Sequence, residues 1–344
     1  MDKSKWEYKK LGEVCTKASS NIVLNKIKDS DGDYPLYGAN GFVKNIDFYH
    51  QPNEYIGIVK DGSGVGRVNT YPSKSSLVGT MQYILPTGEV TLSYLKYFLQ
   101  SKNLGRYASG AAIPHIYFKD YSKELIPVLP TKEQNHIVSE LDQLSAIISL
   151  KQQQMKEYDA LAQSLFYEMF GDMDGSEKSF EKKIFGECFK LKSGDSLTAK
   201  NIVKGPYAVF GGNGIVGYHS EYNAEGQQII IGRVGALCGN VHLIDGKNFI
   251  TDNAFILSDS IGFDKVYLLY FLSMLNLRDY AREAMQPVIS NKTLKGLTIP
   301  LPPISLQRSF AEKVKAIEHQ KSLLKQSIAE TQTLLDSRMQ EYFG

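Results

Sequence analysis

Between Thr131 and Phe170, apolar or small residues recur in alternating steps of four and three. They fall at Ile137, Leu141, Leu144, Ile148, Met155, Tyr158, Ala162, Leu165 and Met169, with Lys151 in the single gap. That period predicts one long helix with a heptad seam, a coiled-coil face rather than a cofactor box, and such a seam requires a partner helix. Pro130, Thr131 and, three residues on, Gln134 mark its start: the Thr131 hydroxyl is expected to cap a free amide while Gln134 reaches back. Gly171 stops it. The partner lies in the same chain. Moving 173 residues along carries the seam onto Phe310, Val314, Ile317, Lys321, Leu324, Ile328, Thr331, Leu335, Arg338 and Tyr342, and the stop onto Gly344.

The residues before the first helix recur before the second. Trp6-Glu7-Tyr8-Lys9-Lys10-Leu11-Gly12-Glu13 matches Phe180-Glu181-Lys182-Lys183-Ile184-Phe185-Gly186-Glu187, which predicts the same opening strand twice. Tyr37-Gly38-Ala39-Asn40-Gly41-Phe42-Val43 matches Phe210-Gly211-Gly212-Asn213-Gly214-Ile215-Val216, an Asn- and Gly-rich turn between apolar runs that reads as a hairpin. Ile58 to Gly66 matches Ile231 to Gly239, a strand running into a glycine-rich loop with a basic residue, Lys60 or Arg233, at its mouth. Tyr94 to Leu99 and Tyr267 to Leu272 suit a short helix packed on a sheet, and both copies end in a strand and a proline corner, Ile126 to Pro130 and Ile299 to Pro303. Between these landmarks the copies diverge: Ser109 to Ile113 faces Arg282 to Gln286. A shared framework with dissimilar loops is expected where two domains perform one kind of recognition on different targets.

Composition narrows the class. A chain of 344 residues, 42% hydrophobic, holds about two domains. No apolar run approaches the roughly 20 residues that cross a bilayer, and Met1 to Lys10 lacks the apolar core of a secretion signal, so a cytoplasmic protein without a membrane partner is expected. Cys15, Cys188 and Cys238 are odd in number and show no Cys-x-x-Cys spacing, which argues against a disulfide framework or a zinc site. The net charge is only +2, but it is unevenly spread. Residues 131–171 carry three basic and six acidic side chains and residues 304–344 six and five, leaving the globular parts a mild cationic excess that suits phosphate contacts.

Candidate chemistry clusters in the loops. In the segment Lys60 to Arg67, glycines let backbone approach a ligand, while Lys60, Ser63 and Arg67 can meet a DNA phosphate or a guanine edge; the alternative is a tight turn with solvated charges. Arg233 and Asn240 hold the corresponding places in copy two. His115, Tyr117 and Lys119, and in the second copy Gln286, Asn291 and Lys292, are side chains able to read base edges or hold phosphates, each with a plain surface position as the alternative. Gly212 to Gly217 has the Gly-x-Gly-x-x-Gly spacing, but copy one has Ala39, Gly41 and Lys44 there and no βαβ pattern surrounds it, so a turn is expected rather than a cofactor loop. The six histidines assemble no ligand or triad spacing, and no phosphate-binding loop, serine nucleophile elbow or Asn-Pro-Pro-aromatic tetrapeptide is found. The chain is expected to be non-catalytic, with no catalytic residue, no metal and no cofactor of its own. A tandem scaffold that binds protein instead of DNA remains the alternative.

Two variable regions, each closed by an Ile-Pro-x-x-Pro corner and a long helix bearing Gln134 or Gln307, closely resemble the specificity subunit of type I restriction-modification systems. The resemblance spans the chain and is most specific over 126–171 and 299–344. It implies an α+β protein of four parts: target recognition domains at 1–130 and 172–303, and conserved helices at 131–171 and 304–344. It further implies double-stranded DNA as ligand and an asymmetric bipartite site. Two methyltransferase subunits would dock on the helices, with restriction subunits in the full complex. Methyl transfer from S-adenosylmethionine to adenine and ATP-driven cleavage would belong to those other chains. Independently, if residues 172–303 form a compact domain with adjacent ends, the second helix runs back along the first. The expectation is then an antiparallel pair about 60 Å long with a pseudo-twofold between its two recognition domains. Ile304 stands where the first helix has Thr131, which makes the first turn of the second helix the weaker of the two.

Overall fold

The computed structural model describes residues 3, 6–110, 113–172, 178, 180–235, 237–258, 262–282 and 287–344. It divides into two compact units: residues 1–152 with 326–344, and residues 153–325. Both long helices therefore contribute to both units, and the chain passes from unit to unit only within helix.

In the first unit, β1 (Glu7–Lys10) leads through a single helical turn, α1 (Leu11–Val14), into β2 (Cys15–Ser19). There follow β3 (Tyr34–Gly38), β4 (Gly41–Ile46), β5 (Tyr55–Val59), β6 (Val68–Tyr71), β7 (Ser76–Leu77) and β8 (Met81–Pro86). Then come α2 (Leu92–Ser101), α3 (Phe118–Tyr121), β9 (Leu125–Val128) and the first residues of α4 (Thr131–Phe170). The second unit repeats the series as β10 (Glu181–Ile184), α5 (Phe185–Cys188), β11 (Lys190–Ser193), β12 (Tyr207–Gly211), β13 (Gly214–His219), β14 (Gln228–Gly232), β15 (Val241–Ile244), β16 (Asn248–Ile250) and β17 (Ala254–Ser258). It ends with α6 (Lys265–Met274), α7 (Asn291–Lys295), β18 (Thr298–Leu301) and α8 (Ile304–Phe343).

The duplication extends to sheet order. Unit one has sheets β1-β9, β2-β8-β5-β6 and β4-β3-β7; unit two has β10-β18, β11-β17-β14-β15 and β13-β12-β16. Even the register shift in the hairpin recurs, between Leu36 and Tyr37 and between Val209 and Phe210. The central strand β5, Tyr-Ile-Gly-Ile-Val, is buried along its whole length, as a strand covered on both faces should be. One face meets α2, whose Tyr94, Leu95 and Phe98 pack with Ile56, Ile58 and Ile84; on the other, Tyr55 and Val59 join Leu36 and Leu77 of the smaller sheet in a second cluster. Gly212 to Gly217 lies on the antiparallel β12–β13 turn and strand, not before a helix, in accord with the turn reading.

All the seam positions of the long helices are buried or half-buried. In the first unit Glu140 of α4 meets Tyr342 and Arg338 of α8, the latter with 2.9 Å between Nε and the carboxylate, while Lys151 donates to Ser327 (2.7 Å) and Thr331 (3.1 Å). In the second, Asp159 pairs with Lys321 at 2.6 Å, and Phe166 and Phe170 pack on Phe310. Within each unit the helical segments thus run antiparallel. Polar seam residues find polar partners on the facing helix, which fixes register where an apolar pair would tolerate sliding.

The helix starts correct one expectation. Thr131 is already the first helical residue, and the Pro130 carbonyl accepts from Glu133 and Gln134 at 2.9 and 3.1 Å. Gln134 does reach back, but into the globular part: its oxygen accepts from the Thr91 amide (2.8 Å), and its nitrogen donates to the carbonyls of Glu89 (2.9 Å) and Leu129 (2.8 Å). Gln307 repeats the arrangement with the Asp264 amide (2.7 Å) and the carbonyls of Gly262 (3.0 Å) and Pro302 (2.8 Å). Both glutamines are fully buried. This brace does not involve the hydroxyl, and α8 has it from Ile304 just as α4 has it from Thr131.

Candidate nucleic-acid interface

In each unit one loop leaves the central strand and a second, from the segment before the last short helix, is stitched to it. After β5, Val59 donates to the Arg67 carbonyl (3.0 Å) and Gly66 back to Val59 (2.8 Å); inside the loop Val65 donates to Gly62 and Arg67 to Gly64, both at 3.1 Å. After β14 the same bonds join Gly232 with Asn240 (2.9 Å), Gly239 with Gly232 (2.9 Å), Cys238 with Gly235 (3.0 Å) and Asn240 with Leu237 (3.3 Å). Gly66 and Gly239 have φ of +87° and +93°, and a Cβ on either would lie 2.4 or 2.6 Å from the amide nitrogen of Gly105 or Arg278. Only glycine permits that turn and that approach together.

The second loop is held by an isolated bridge, Asp61 with His115 in unit one and Val234 with Val288 in unit two. Around it Ile116 donates to the Lys60 carbonyl (3.0 Å) and Gly62 to Pro114 (2.9 Å), as Ile289 does to Arg233 (2.8 Å) and Gly235 to Pro287 (3.2 Å). The backbone is common to both units and the side chains are not. In the first, Asp61 and His115 form a side-chain hydrogen bond and the Lys60 ammonium lies 3.8 Å from Asp61. The His115 ring sits 4.1 Å from that of the exposed Tyr117, over which Lys119 extends at 5.2 Å. In the second, the same bridge is a pair of valines.

The expected contact residues therefore gather in unit one: Lys60, Ser63 and Arg67 on one loop, His115 and Tyr117 on the other, and Lys119 just beyond it in α3. Ser63 and Arg67 are exposed. In unit two the picture differs. Arg233 is drawn inward: its guanidinium donates to Ser193 Oγ and the Asp252 carbonyl, each at 3.0 Å, and stacks 4.5 Å from the Phe255 ring, with Nε buried and unpartnered. Asn240 stays at the rim, its side-chain nitrogen donating to Asn213 Oδ1 at 2.9 Å. Beside it opens a cavity of about 340 Å³ lined by Leu237, Asn240, His242, Asn276 and Arg278, in which burial holds the His242 imidazole below its ordinary pKa. Lys292 is exposed at the start of α7, Asn291 half-buried beside it; Gln286 lies outside the described residues. Sequence reading passed over Asp61, which orients His115, and Asn213, which orients Asn240. Both stand inside motifs already marked by their glycines, but their roles need a partner from another loop.

These groups supply hydrogen-bond donors, acceptors and cations on a glycine-rich rim, the requirements for touching phosphates and base edges. Among the described residues, no three or more His, Cys, Asp or Glu side chains are placed to hold a metal ion, all three cysteines are free thiols, and no helix is long and apolar enough to cross a membrane.

Comparison with known proteins agrees with this frame. The model of the type I restriction modification DNA specificity domain matches twice, over residues 3–158 and 177–332. The chain is 30% identical over 187 residues to the type I restriction enzyme EcoprrI specificity subunit of Escherichia coli, covering 51% of this chain and 45% of that protein, less than half its length. It is 25% identical over 375 residues to the MjaVIII specificity subunit of Methanocaldococcus jannaschii, covering 91% and 86%. In fold it is similar to the type I restriction-modification S subunit from M. genitalium, with a TM-score of 0.62 at 16% identity over 100% of this chain and 97% of the other. With both globular regions and most of each helix inside the two matches, the chain belongs to the type I restriction modification DNA specificity domain family.

Proposed function

We propose that this chain is the DNA-reading subunit of a type I restriction-modification enzyme, each unit recognising one half of an asymmetric, interrupted duplex site. The carrying observation is the duplicated rim: identical backbone bonds hold Arg67 and Asn240, Asp61 and Val234, and His115 and Val288 at matching places with different chemistry. A scaffold that fixes backbone and varies the presented side chains is suited to two different targets of one kind. In this reading Lys60, Ser63, Arg67, His115, Tyr117 and Lys119 contact one half-site, and Asn240, Asn291 and Lys292, with Gln286, the other. Arg233 acts there chiefly by bracing its loop. In this reading the labour divides along the chain: recognition by 1–130 and 172–303, partner binding by the helices 131–171 and 304–344.

Partner binding is supported by the helices' outer faces. Leu150 and Leu323 are matching positions of α4 and α8, 69% and 48% exposed; Leu161 and Leu334 are another such pair, 45% and 47% exposed. Each stands one residue before a seam position, so each belongs to the same flank of its helix. Repeated exposed leucines offer two equivalent apolar surfaces, as two copies of a modification subunit require. Methyl transfer to adenine from S-adenosylmethionine, and ATP-dependent cleavage, are then the work of the partner chains inside the cytoplasmic complex.

The test is a mobility shift of duplex DNA by the chain co-purified with its modification partner. Binding should be sequence-selective and should weaken steeply with salt as phosphate contacts release counterions. The chain alone should transfer no methyl group to DNA. A complex that assembles but leaves every duplex unshifted would favour the protein-binding scaffold instead.

A further inference from the structure

We infer that the place shared by Arg67 and Asn240 reads one base in each half-site, guanine through Arg67 and adenine through Asn240. The inference rests on the DNA-reading function proposed above and adds what that function leaves open, the identity of a base on each side. Arg67 and Asn240 are equivalent in position and in backbone bonding: each carbonyl accepts from the end of the central strand (3.0 and 2.9 Å), and each amide donates three residues back into its loop (3.1 and 3.3 Å). The scaffold therefore presents their side chains from one place on one frame.

Their chemistry then decides what they read. Guanine shows two acceptors, O6 and N7, on its major-groove edge, and a guanidinium fork supplies two N–H groups to match. Arg67 is exposed and lies across Gly64, where any side chain would collide with it; among the described residues its side chain makes only long hydrogen bonds, 3.4 Å, to the carbonyls of Gly64 and Ser63. They engage Nε and one Nη2 hydrogen, which orients the guanidinium and leaves its Nη1–Nη2 edge as the fork. Adenine shows a donor, N6–H₂, beside the N7 acceptor, which a carboxamide matches with one oxygen and one N–H. Asn240 spends one N–H on Asn213 Oδ1 at 2.9 Å, which leaves its other N–H and its oxygen for a ligand. A guanidinium has no acceptor to offer N6–H₂, so the two residues cannot exchange roles.

The test uses the full chain in its complex with the modification subunits, selecting bound duplexes from a pool randomised across the site. The wild type should require guanine at one position of one half-site and adenine at one position of the other. Arg67→Ala and Asn240→Ala should each make that position indifferent, by about tenfold in relative affinity, with every other position kept. Asn240→Arg should turn the adenine requirement into guanine, and Arg67→Asn the guanine into adenine. The alanine variants retain the loop, because its bonds come from the backbone. If they select the wild-type sequence, or lose affinity equally for all sequences as a phosphate contact would, the assignment is overturned. A wild-type complex that binds no duplex removes the DNA-reading function itself, which is a separate result.

Discussion

Gln134 and Gln307 show how one side chain joins two levels of structure. Each buries a carboxamide whose oxygen and two N–H groups all go to backbone, so a residue at the start of a long helix also closes the loop before α2 or α6 and the proline corner. Gln134→Leu or Gln307→Leu leaves an amide and two carbonyls without partners and should cost about 3 kcal/mol, measured by denaturant unfolding. Thr131→Ala should change stability by less than about 0.5 kcal/mol, because Ile304 already starts the equivalent helix without a hydroxyl. A large loss for Thr131→Ala would restore the cap reading. The sequence marked the glutamine and its nearness to the helix start, but not its direction. Thr91 and Glu89 lie more than 40 residues away, and no local pattern names them. A second residue-scale expectation concerns His242, which burial keeps neutral below its ordinary pKa of 6.5. The unfolded chain takes up that proton first, so the contribution is intact above about pH 6.5 and stability declines as pH falls from there toward the folded pKa. Melting curves between pH 7.5 and 5 should fall less steeply for His242→Phe than for the wild type; parallel curves would remove the histidine from the account.

At the scale of elements, what could be read from sequence was what repeats locally. The heptad seam, the hairpins at Gly38 to Gly41 and Gly211 to Gly214, the short helices and the proline corners all announce themselves through period or turn chemistry within a dozen residues. The joining of residues 60–67 to 113–119 could not be read, since it depends on a bridge between Asp61 and His115 that spans the unit. For the same reason Arg233 looked like a loop cation equivalent to Lys60, whereas Phe255, Ser193 and Asp252 draw it into the fold. The rim itself hangs on two glycines. Gly66→Ala and Gly239→Ala combine a left-handed backbone with a collision against backbone, and each should destabilise by about 2 kcal/mol or more. Because the loop would shift, site selection by the complex should weaken on the affected half-site alone. Unfolding midpoints equal to wild type would mean that the close approach of the two segments is not required.

For the molecule as a whole, both connections between the units are helical, at residues 152 and 153 of α4 and 325 and 326 of α8. If each unit reads one half-site, the helices are the only covalent elements able to set the number of unread base pairs between them. Inserting four residues at each crossing adds slightly more than one turn, which keeps the seams nearly in phase and lengthens each helix by about 6 Å. At about 3.4 Å per base pair, that permits at most about two further pairs in the spacer. The half-site sequences should not change, because Arg67, Asn240 and their loops are held entirely within their own units. Methylation mapping in cells carrying the lengthened chain distinguishes the outcomes: a longer spacer with the original half-sites is expected. An active complex that keeps the original spacer would show that partner subunits, rather than the helices, fix the distance.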